Sequence, residues 1–188
     1  ILMNQQIMKY LNSDALAIYG VLINISTFAQ CSAYGVGQAA QPILSQNYGA
    51  KQMDRVKKIL LYNVYSCLVI SMIFVTSVMF FPDGFIHLFM NPTESVLSIA
   101  PNIMRIYALA FISLPFNVYS TYYFQAIFRT KTSIIISLAR GIFISGLLIL
   151  VLPLILSSHS IWYTIPISEL ITTIIVVFCM LKKVKTNE

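Results

Sequence analysis

Long apolar stretches along the chain are separated by short polar segments, most of which are basic. Each stretch has about 20 to 30 residues, so a helix rising about 1.5 Å per residue can cross a hydrocarbon core about 30 Å thick. We therefore expect an all-α fold, a polytopic transmembrane helix bundle. The pattern predicts the end of one helix over residues 1–12 and membrane spans at about 15–45, 59–81, 102–128, 132–156 and 161–181.

The composition favours a membrane protein over a very apolar soluble domain. Of 188 residues, 58% are hydrophobic and 10% are charged, whereas soluble domains have roughly 25% charged residues. The formal net charge is +6, but the basic residues lie in separate clusters between the apolar stretches and do not form one stripe. We therefore expect contacts with membrane lipid and no nucleic-acid partner.

The basic clusters predict the orientation of the chain in the membrane. Most of the positive charge lies in the segments 51–58, 129–131 and 182–185. These segments alternate with polar segments near residue 14, at 83–94 and at 157–160. Because cytoplasmic loops are enriched in Lys and Arg, we expect the basic segments and the C-terminus in the cytoplasm. The protein is then a multi-pass protein of the cell membrane, plasma or inner.

The stretch over residues 35–58 is unusual for a membrane helix. It begins with glycine and glutamine where leucine is common, and Pro42 removes one backbone donor, which predicts a kink. Gly49 predicts a helix end in the left-handed conformation. A broken, polar helix that leads into a basic loop is typical of a membrane transporter, with Gly35, Gly37 and Pro42 as candidate hinge positions.

One face of the first long predicted helix is polar and aromatic. Asn24, Phe28, Cys31, Gly35 and Gln38 follow one another at steps of three and four, so they share this face. Lipid does not solvate polar groups, so the face is expected to meet a cavity or another helix through its small residues. In the first interpretation Asn24 and Phe28 form a binding wall, whose aromatic ring attracts positive charge.

The predicted span over 102–128 has Pro115 at its centre. Beyond it, Asn117, Thr121 and Gln125 are four residues apart and share one face. A proline kink beside a polar stripe favours a substrate or ion site near the bilayer midplane, with Pro115 as a hinge. The alternative is a kink whose freed carbonyl bonds to neighbouring polar groups.

Arg140 and Glu169 are the clear ionisable pair at membrane depth. By helical rise, each lies about 12 Å from opposite membrane surfaces, which brings the two within reach across a core of about 30 Å. We predict a structural ion pair that joins the last two spans. A proton relay is the alternative.

No constellation of residues supports an enzyme or a bound cofactor. Residues 35–40 fit a G-x-G-x-x-A fingerprint, but that fingerprint requires a preceding strand, and a helix is predicted there. His87 and His159 have no partner at metal-ligand spacing, and the three cysteines lie far apart in apolar stretches. We therefore expect no enzymatic activity, no metal site and no cofactor.

Several segments resemble the MATE (multidrug and toxic compound extrusion) transporters. They are residues 35–43 (GVGQAAQPI), 47–51 (NYGAK), 55–56 (RV), 88–92 (LFMNP) and 124–126 (FQA). The first segment is the most specific because of its length and order. The resemblance implies half of a twelve-helix, two-lobed fold, with the chain similar to the C-terminal lobe. The start at Ile1 looks like a cut inside a larger protein, which would place the N-terminal lobe before it.

The resemblance also implies a function. Members of the family are secondary active antiporters that export organic, often cationic, compounds in exchange for Na⁺ or H⁺. The expected partners are then a small organic cation and the missing N-terminal lobe. Some members carry a membrane-embedded acid where Asn117 stands here, so cation coupling by this lobe is an open question. A flippase for lipid-linked substrates and a non-transporting membrane subunit are the alternatives.

Overall fold

The chain folds as a bundle of helices. A computed structural model describes residues 1–184, and every regular element among them is helical. The elements are α1 (Leu2–Tyr10), α2 (Ser13–Gly49), α3 (Met53–Phe80), α4 (Pro82–Phe89), α5 (Glu94–Ala108), α6 (Ala110–Ala126), α7 (Thr130–Leu138), a π-helical segment (Ala139–Ile144), α8 (Ser145–Ile155), a 3₁₀ segment (Ser158–Tyr163) and α9 (Thr164–Val184).

The helices are long enough to cross a membrane. Four stretches of the described chain combine sufficient length with sufficient apolarity, and the bent pair α5–α6 brings the number of spans to as many as five. The four are Ser13–Gly49, Met53–Phe80, Thr130–Ile155 and Ser158–Lys182. The predicted fold class, an all-α bundle of transmembrane helices, is confirmed.

Helix α2 is continuous where the sequence predicts a break. It begins where the Asn12 side chain accepts a hydrogen bond from Ala15 N at 2.9 Å, and it runs through Pro42 to Gly49. Lys51, with φ of 58°, takes the left-handed conformation that was expected of Gly49. The helix is therefore not interrupted at Pro42, and it ends at Gly49, where the sequence predicts its end. Packing along α3 and α6 holds the helix together, and one lost backbone hydrogen bond does not interrupt it.

The bend in the third span lies before its proline. The axes of α5 and α6 differ by 41° at the break after Ala108, whereas α6 continues without interruption through Pro115. Next to the proline, Ser71 of α3 donates its hydroxyl to Ile112 O at 3.0 Å. The predicted kink at Pro115 is thus displaced by more than a turn towards the N-terminus. The proline ring crowds the turn that precedes it, and a neighbouring hydroxyl satisfies a carbonyl there.

Helices α2 and α6 form the centre of the bundle and touch each other at a glycine. Among the large side chains of α6, Phe111, Tyr119 and Phe124 are completely buried. A Cβ atom built on Gly37 of α2 would lie 2.7 Å from Tyr122 Cγ, so the two helices approach closely because Gly37 has no side chain. Gly35 has nothing within 4 Å of the same position. The two glycines proposed as hinges therefore differ in role, since only Gly37 is needed for contact.

Candidate functional site

A buried ion pair lies at membrane depth between the last two spans. Arg140 Nε donates to Glu169 Oε1 at 2.8 Å, and the two side chains are 20% and 6% exposed, respectively. The structure thus brings together the two charges that the sequence places at membrane depth. Charged groups are costly in this environment and are retained there mainly for pairing or function.

The second carboxylate oxygen of Glu169 is held by a third helix. Asn117 of α6 is completely buried and donates Nδ2 to Glu169 Oε2 at 2.7 Å. The same nitrogen lies 2.9 Å from the Glu169 carbonyl oxygen. On the other side of the amide, Asn117 Oδ1 accepts from the Thr173 hydroxyl at 2.9 Å. The carboxylate is therefore fixed by an arginine on one side and by an amide on the other.

Arg140 projects from the π-helical segment. This segment, Ala139–Ile144, interrupts the helix that α7 and α8 otherwise form. Short π-helical turns inside α-helices are rare and are frequent at functional sites. The apolar pattern does not reveal it, because a π-helical turn inserted in an apolar span leaves the run of apolar residues intact.

A polar cavity opens beside the ion pair. It has a volume of about 480 Å³ and lies between α2, the end of α5, α6, the helix that carries Arg140, and α9. Its volume is within the range of about 300–1,000 Å³ that is usual for small-molecule sites. The polar side chains that line it include Thr27, Gln30, Tyr34, Ser137, Arg140 and Ser168. Hydroxyl, amide and guanidinium groups are thus gathered inside a lobe that is otherwise apolar.

The binding residues predicted on α2 do not reach this cavity. Phe28 is 61% exposed on the surface of the lobe, and Asn24 Nδ2 donates to Gly20 O within its own helix at 3.1 Å. Instead, Thr27, Gln30 and Tyr34 line the cavity. These three residues also follow steps of three and four, so the sequence presents two neighbouring polar faces, and the one that lines this cavity is not the face of Asn24 and Phe28.

The polar residues predicted on α6 form hydrogen bonds within the protein, two of them to other helices. Asn117 faces α9, as described above, and the Thr121 hydroxyl donates to Val118 O at 2.8 Å. Gln125 Nε2 donates to Ser133 Oγ at 3.2 Å. Asn117, Thr121, Gln125, Asn24 and Phe28 are thus not among the residues that line the cavity beside the ion pair. Any contact of these residues with a substrate remains a prediction.

Asn117→Leu is expected to lower the free energy of unfolding by about 1–2 kcal/mol, because the buried Glu169 Oε2 loses its donor. The Thr173 hydroxyl keeps an acceptor, since it also lies 2.9 Å from Glu169 O. Asn24→Leu is the control, because its exposed amide bonds only within α2. Thermal unfolding of the purified variants in detergent measures both effects. Equal stability of the two variants would contradict the assigned role of Asn117.

The fold and the cavity define the class of protein: a multi-pass membrane protein with a polar, charged site inside its helix bundle. A comparison with protein families gives the particular family, because the family model MatE matches residues 1–150. The chain belongs to the MATE family. The resemblance drawn from the motifs is thereby confirmed, and a transporter family agrees with the expectation that the protein is not an enzyme.

Solved structures of this family have the same fold. The chain is similar to the outward-facing conformation of a multidrug resistance MATE family transporter of the MOP superfamily, with 17% identity and a TM-score of 0.87, over 98% of this chain and 42% of that one. The inward-facing conformation of such a transporter gives 17% identity and a TM-score of 0.87 over 98% and 43%.

The chain is also similar to proteins from two named organisms. A MOP superfamily transporter from Pyrococcus furiosus, whose description reports reverse polarity of the binding pocket, has 18% identity and a TM-score of 0.85, over 98% of this chain and 42% of that one. Uncharacterized protein MG447 of Mycoplasma genitalium is 28% identical over 123 residues, which are 65% of this chain and 22% of that protein. The chain thus spans less than half the length of the proteins it matches.

Proposed function

We propose that this chain is one lobe of a secondary active transporter that exports small organic compounds in exchange for Na⁺ or H⁺. The observation that carries the proposal is the cavity of about 480 Å³ beside a buried ion pair, in a chain of the MATE family. Placing an ion pair inside an apolar lobe costs free energy. Because a cavity lies beside this pair, we attribute the retention of the pair to a role in binding.

The proposed partner is an N-terminal lobe of the same fold family, which closes the other side of the cavity. The coverage of 42% and 43% in the solved transporters supports a lobe-sized unit. The TM-scores against the outward-facing and the inward-facing conformations are both 0.87. This equality supports a lobe that keeps its internal fold while the opening of the cavity changes sides. The order of the motifs favours the C-terminal position for this lobe.

Glu169 is the proposed place where the coupling ion acts. Among the described residues that line the cavity, Glu169 carries the carboxylate. Na⁺ or H⁺ bound there competes with Arg140 for Oε1, because one carboxylate oxygen does not hold both cations equally well. Asn117, which occupies the position of an acid in some members, then orients this carboxylate through Oε2. The ion acts by changing the charge that faces Arg140.

The family resemblance makes organic cations the first cargo to test. Tyr34 lines the cavity, and its ring packs at 6.2 Å against Tyr122 of α6. An aromatic face next to a cavity attracts organic cations. In this proposal Tyr34 takes the role that the sequence gave to Phe28.

The proposed orientation has the basic loops in the cytoplasm. Cysteine at Gln52, in the loop after α2, is expected to resist an impermeant thiol reagent added to whole cells, whereas cysteine at Ser157, before the 3₁₀ segment, is expected to react. Both positions are exposed. Cys31 is exposed as well, so the variants need Cys31→Ala as background. Reaction at position 52 from the outside would reverse the proposed topology.

The transport activity is tested with the complete transporter in lipid vesicles. Accumulation of rhodamine 123, an organic cation, is followed after a Na⁺ jump or a pH jump. One of the two gradients is expected to drive uptake, and Glu169→Gln is expected to abolish the response. Glu94→Gln, at the exposed start of α5, is the matched control. Wild-type vesicles that respond to neither gradient would contradict the proposal and favour a non-transporting subunit.

A further inference from the structure

We infer that the cavity binds an oxyanion, a phosphate or carboxylate group of the transported compound, through the terminal nitrogens of Arg140. This inference rests on the proposed transport function and adds the chemical class of the cargo. It differs from the organic cation that the family resemblance implies, because an anionic group on the compound strengthens binding whether or not a cationic group is also present.

The guanidinium group of Arg140 has hydrogen-bond donors that the ion pair with Glu169 does not use. Its Nε donates to Glu169, and the terminal nitrogens have no hydrogen-bond partner in the part of the chain that the structure describes. The side chain is 20% exposed and lines the cavity. Donors in a largely buried site nearly always find acceptors. The planar fork of a guanidinium matches the two oxygens of a carboxylate or phosphate.

The carboxylate of the pair is less accessible than its guanidinium, although both residues line the cavity. Glu169 is only 6% exposed, and its two oxygens are occupied by Arg140 and Asn117. Arg140 and Glu169 are the charged side chains on the described cavity wall. A bound compound consequently meets more of the guanidinium than of the carboxylate, whose oxygens already have donors. Positive charge with free donors favours an oxyanion over a simple organic cation.

Two serines extend the set of donors around Arg140. Ser168 is 2% exposed and lines the cavity. Ser137 lies one helical turn before Arg140 and also lines the cavity. Hydroxyl groups on the cavity wall can donate to the oxygens of a bound compound.

The rest of the cavity wall indicates the body of the compound. Ile23, Leu114 and Ile165 line the same space and supply apolar contacts. The cargo is then an organic compound with an oxyanion group and an apolar body. A soluble organic acid and a lipid-linked phosphate share this chemistry, and the second source corresponds to the flippase alternative.

Two dyes that differ by one methyl ester test the inference directly. Rhodamine 110 carries a free carboxylate, and rhodamine 123 is its methyl ester. Binding to the purified complete transporter in detergent is measured by fluorescence anisotropy. Rhodamine 110 is expected to bind roughly tenfold more tightly than rhodamine 123, as a charge-assisted hydrogen bond implies. Equal or weaker binding of rhodamine 110 would overturn the inference.

Arg140→Lys separates ligand binding from the ion pair. Lysine keeps a positive partner for Glu169 but loses the guanidinium fork. We expect this variant to lose roughly tenfold in affinity for rhodamine 110 and to keep its affinity for rhodamine 123. Arg105→Lys is the matched control, because Arg105 lies outside the cavity and donates Nε to Met79 O. A similar loss for both dyes would overturn the inference. If Arg140→Lys does not fold, the wild-type comparison of the two dyes decides.

Competition distinguishes the two sources of the oxyanion. Displacement of rhodamine 110 by phenyl phosphate assigns a soluble cargo, and displacement by a polyprenyl phosphate alone assigns a lipid-linked one. Either result supports an oxyanion site, and displacement by neither would count against it.

The transport proposal and the oxyanion proposal can fail independently of each other. Gradient-driven uptake of rhodamine 123 without preferential binding of rhodamine 110 would leave transport intact and remove the oxyanion site, and preferential binding without any driven uptake would do the reverse.

Discussion

Arg140→Met alone is expected to lower the free energy of unfolding by about 3–5 kcal/mol, because it leaves the charge of Glu169 buried without its partner. Glu169 is 6% exposed, so water solvates its carboxylate poorly once the guanidinium is gone. The remaining donor, Asn117, satisfies one oxygen but does not neutralise the charge. Glu169→Leu alone is expected to have an effect of similar size, since it leaves Arg140 unpaired.

The double variant, Arg140→Met with Glu169→Leu, is expected to recover much of this loss, since apolar groups of similar volume replace a buried pair well. Thermal and denaturant unfolding of the purified variants in detergent measures all three. The double-variant cycle isolates the interaction between the two side chains. Simple additivity of the two single effects would show that the pair does not stabilise the lobe as a unit.

Gly37→Leu is expected to lower the free energy of unfolding by about 3 kcal/mol, the upper end of the usual cost of overpacking. Its Cβ would lie 2.7 Å from Tyr122 Cγ. This atom is close to the backbone of α6, so a simple swing of the ring does not relieve the clash and the two central helices must separate. The lining of the cavity on α2, Tyr34 above all, moves with them.

Gly35→Leu is the matched control for this prediction. It lies two residues away on the same helix, and nothing lies within 4 Å of a Cβ built there. Its effect on lobe stability is expected to stay within about 0.5 kcal/mol, as for other open surface positions. Unfolding of both variants under the same conditions gives the comparison. Equal destabilisation would mean that the close contact at Gly37 does not set the distance between α2 and α6.

The features that sequence predicts well are those that depend on composition over many residues. The apolar stretches predict the spans because a helix inside lipid has to be apolar over its whole length. Arg140 and Glu169 were found because charges at membrane depth are rare, and a rare charge needs a partner. For the membrane spans and for the ion pair, the membrane environment leaves very few other arrangements.

The features that sequence misses depend on how helices are rotated and packed. Asn24 and Phe28 lie on one polar face of α2, and Thr27 and Gln30 on the neighbouring one. A period of 3.6 residues does not say which face turns inward. Local signals were also overridden, as at Pro42, where packing on both sides keeps the helix continuous. The π-helical turn that carries Arg140 leaves the apolar pattern unchanged, so no period reveals it.

The most direct test of the central proposal, that the cavity beside the Arg140–Glu169 pair binds the cargo, is protection of a single cysteine. Ser137→Cys places a thiol on the exposed part of the cavity wall, and Gln52→Cys in the same Cys31→Ala background is the control outside it. The rate of thiol modification is measured in the complete transporter with and without a saturating concentration of the transported rhodamine. We expect the cargo to slow modification at position 137 severalfold and to leave position 52 unchanged. Equal rates with and without cargo at position 137 would contradict the assignment of the site.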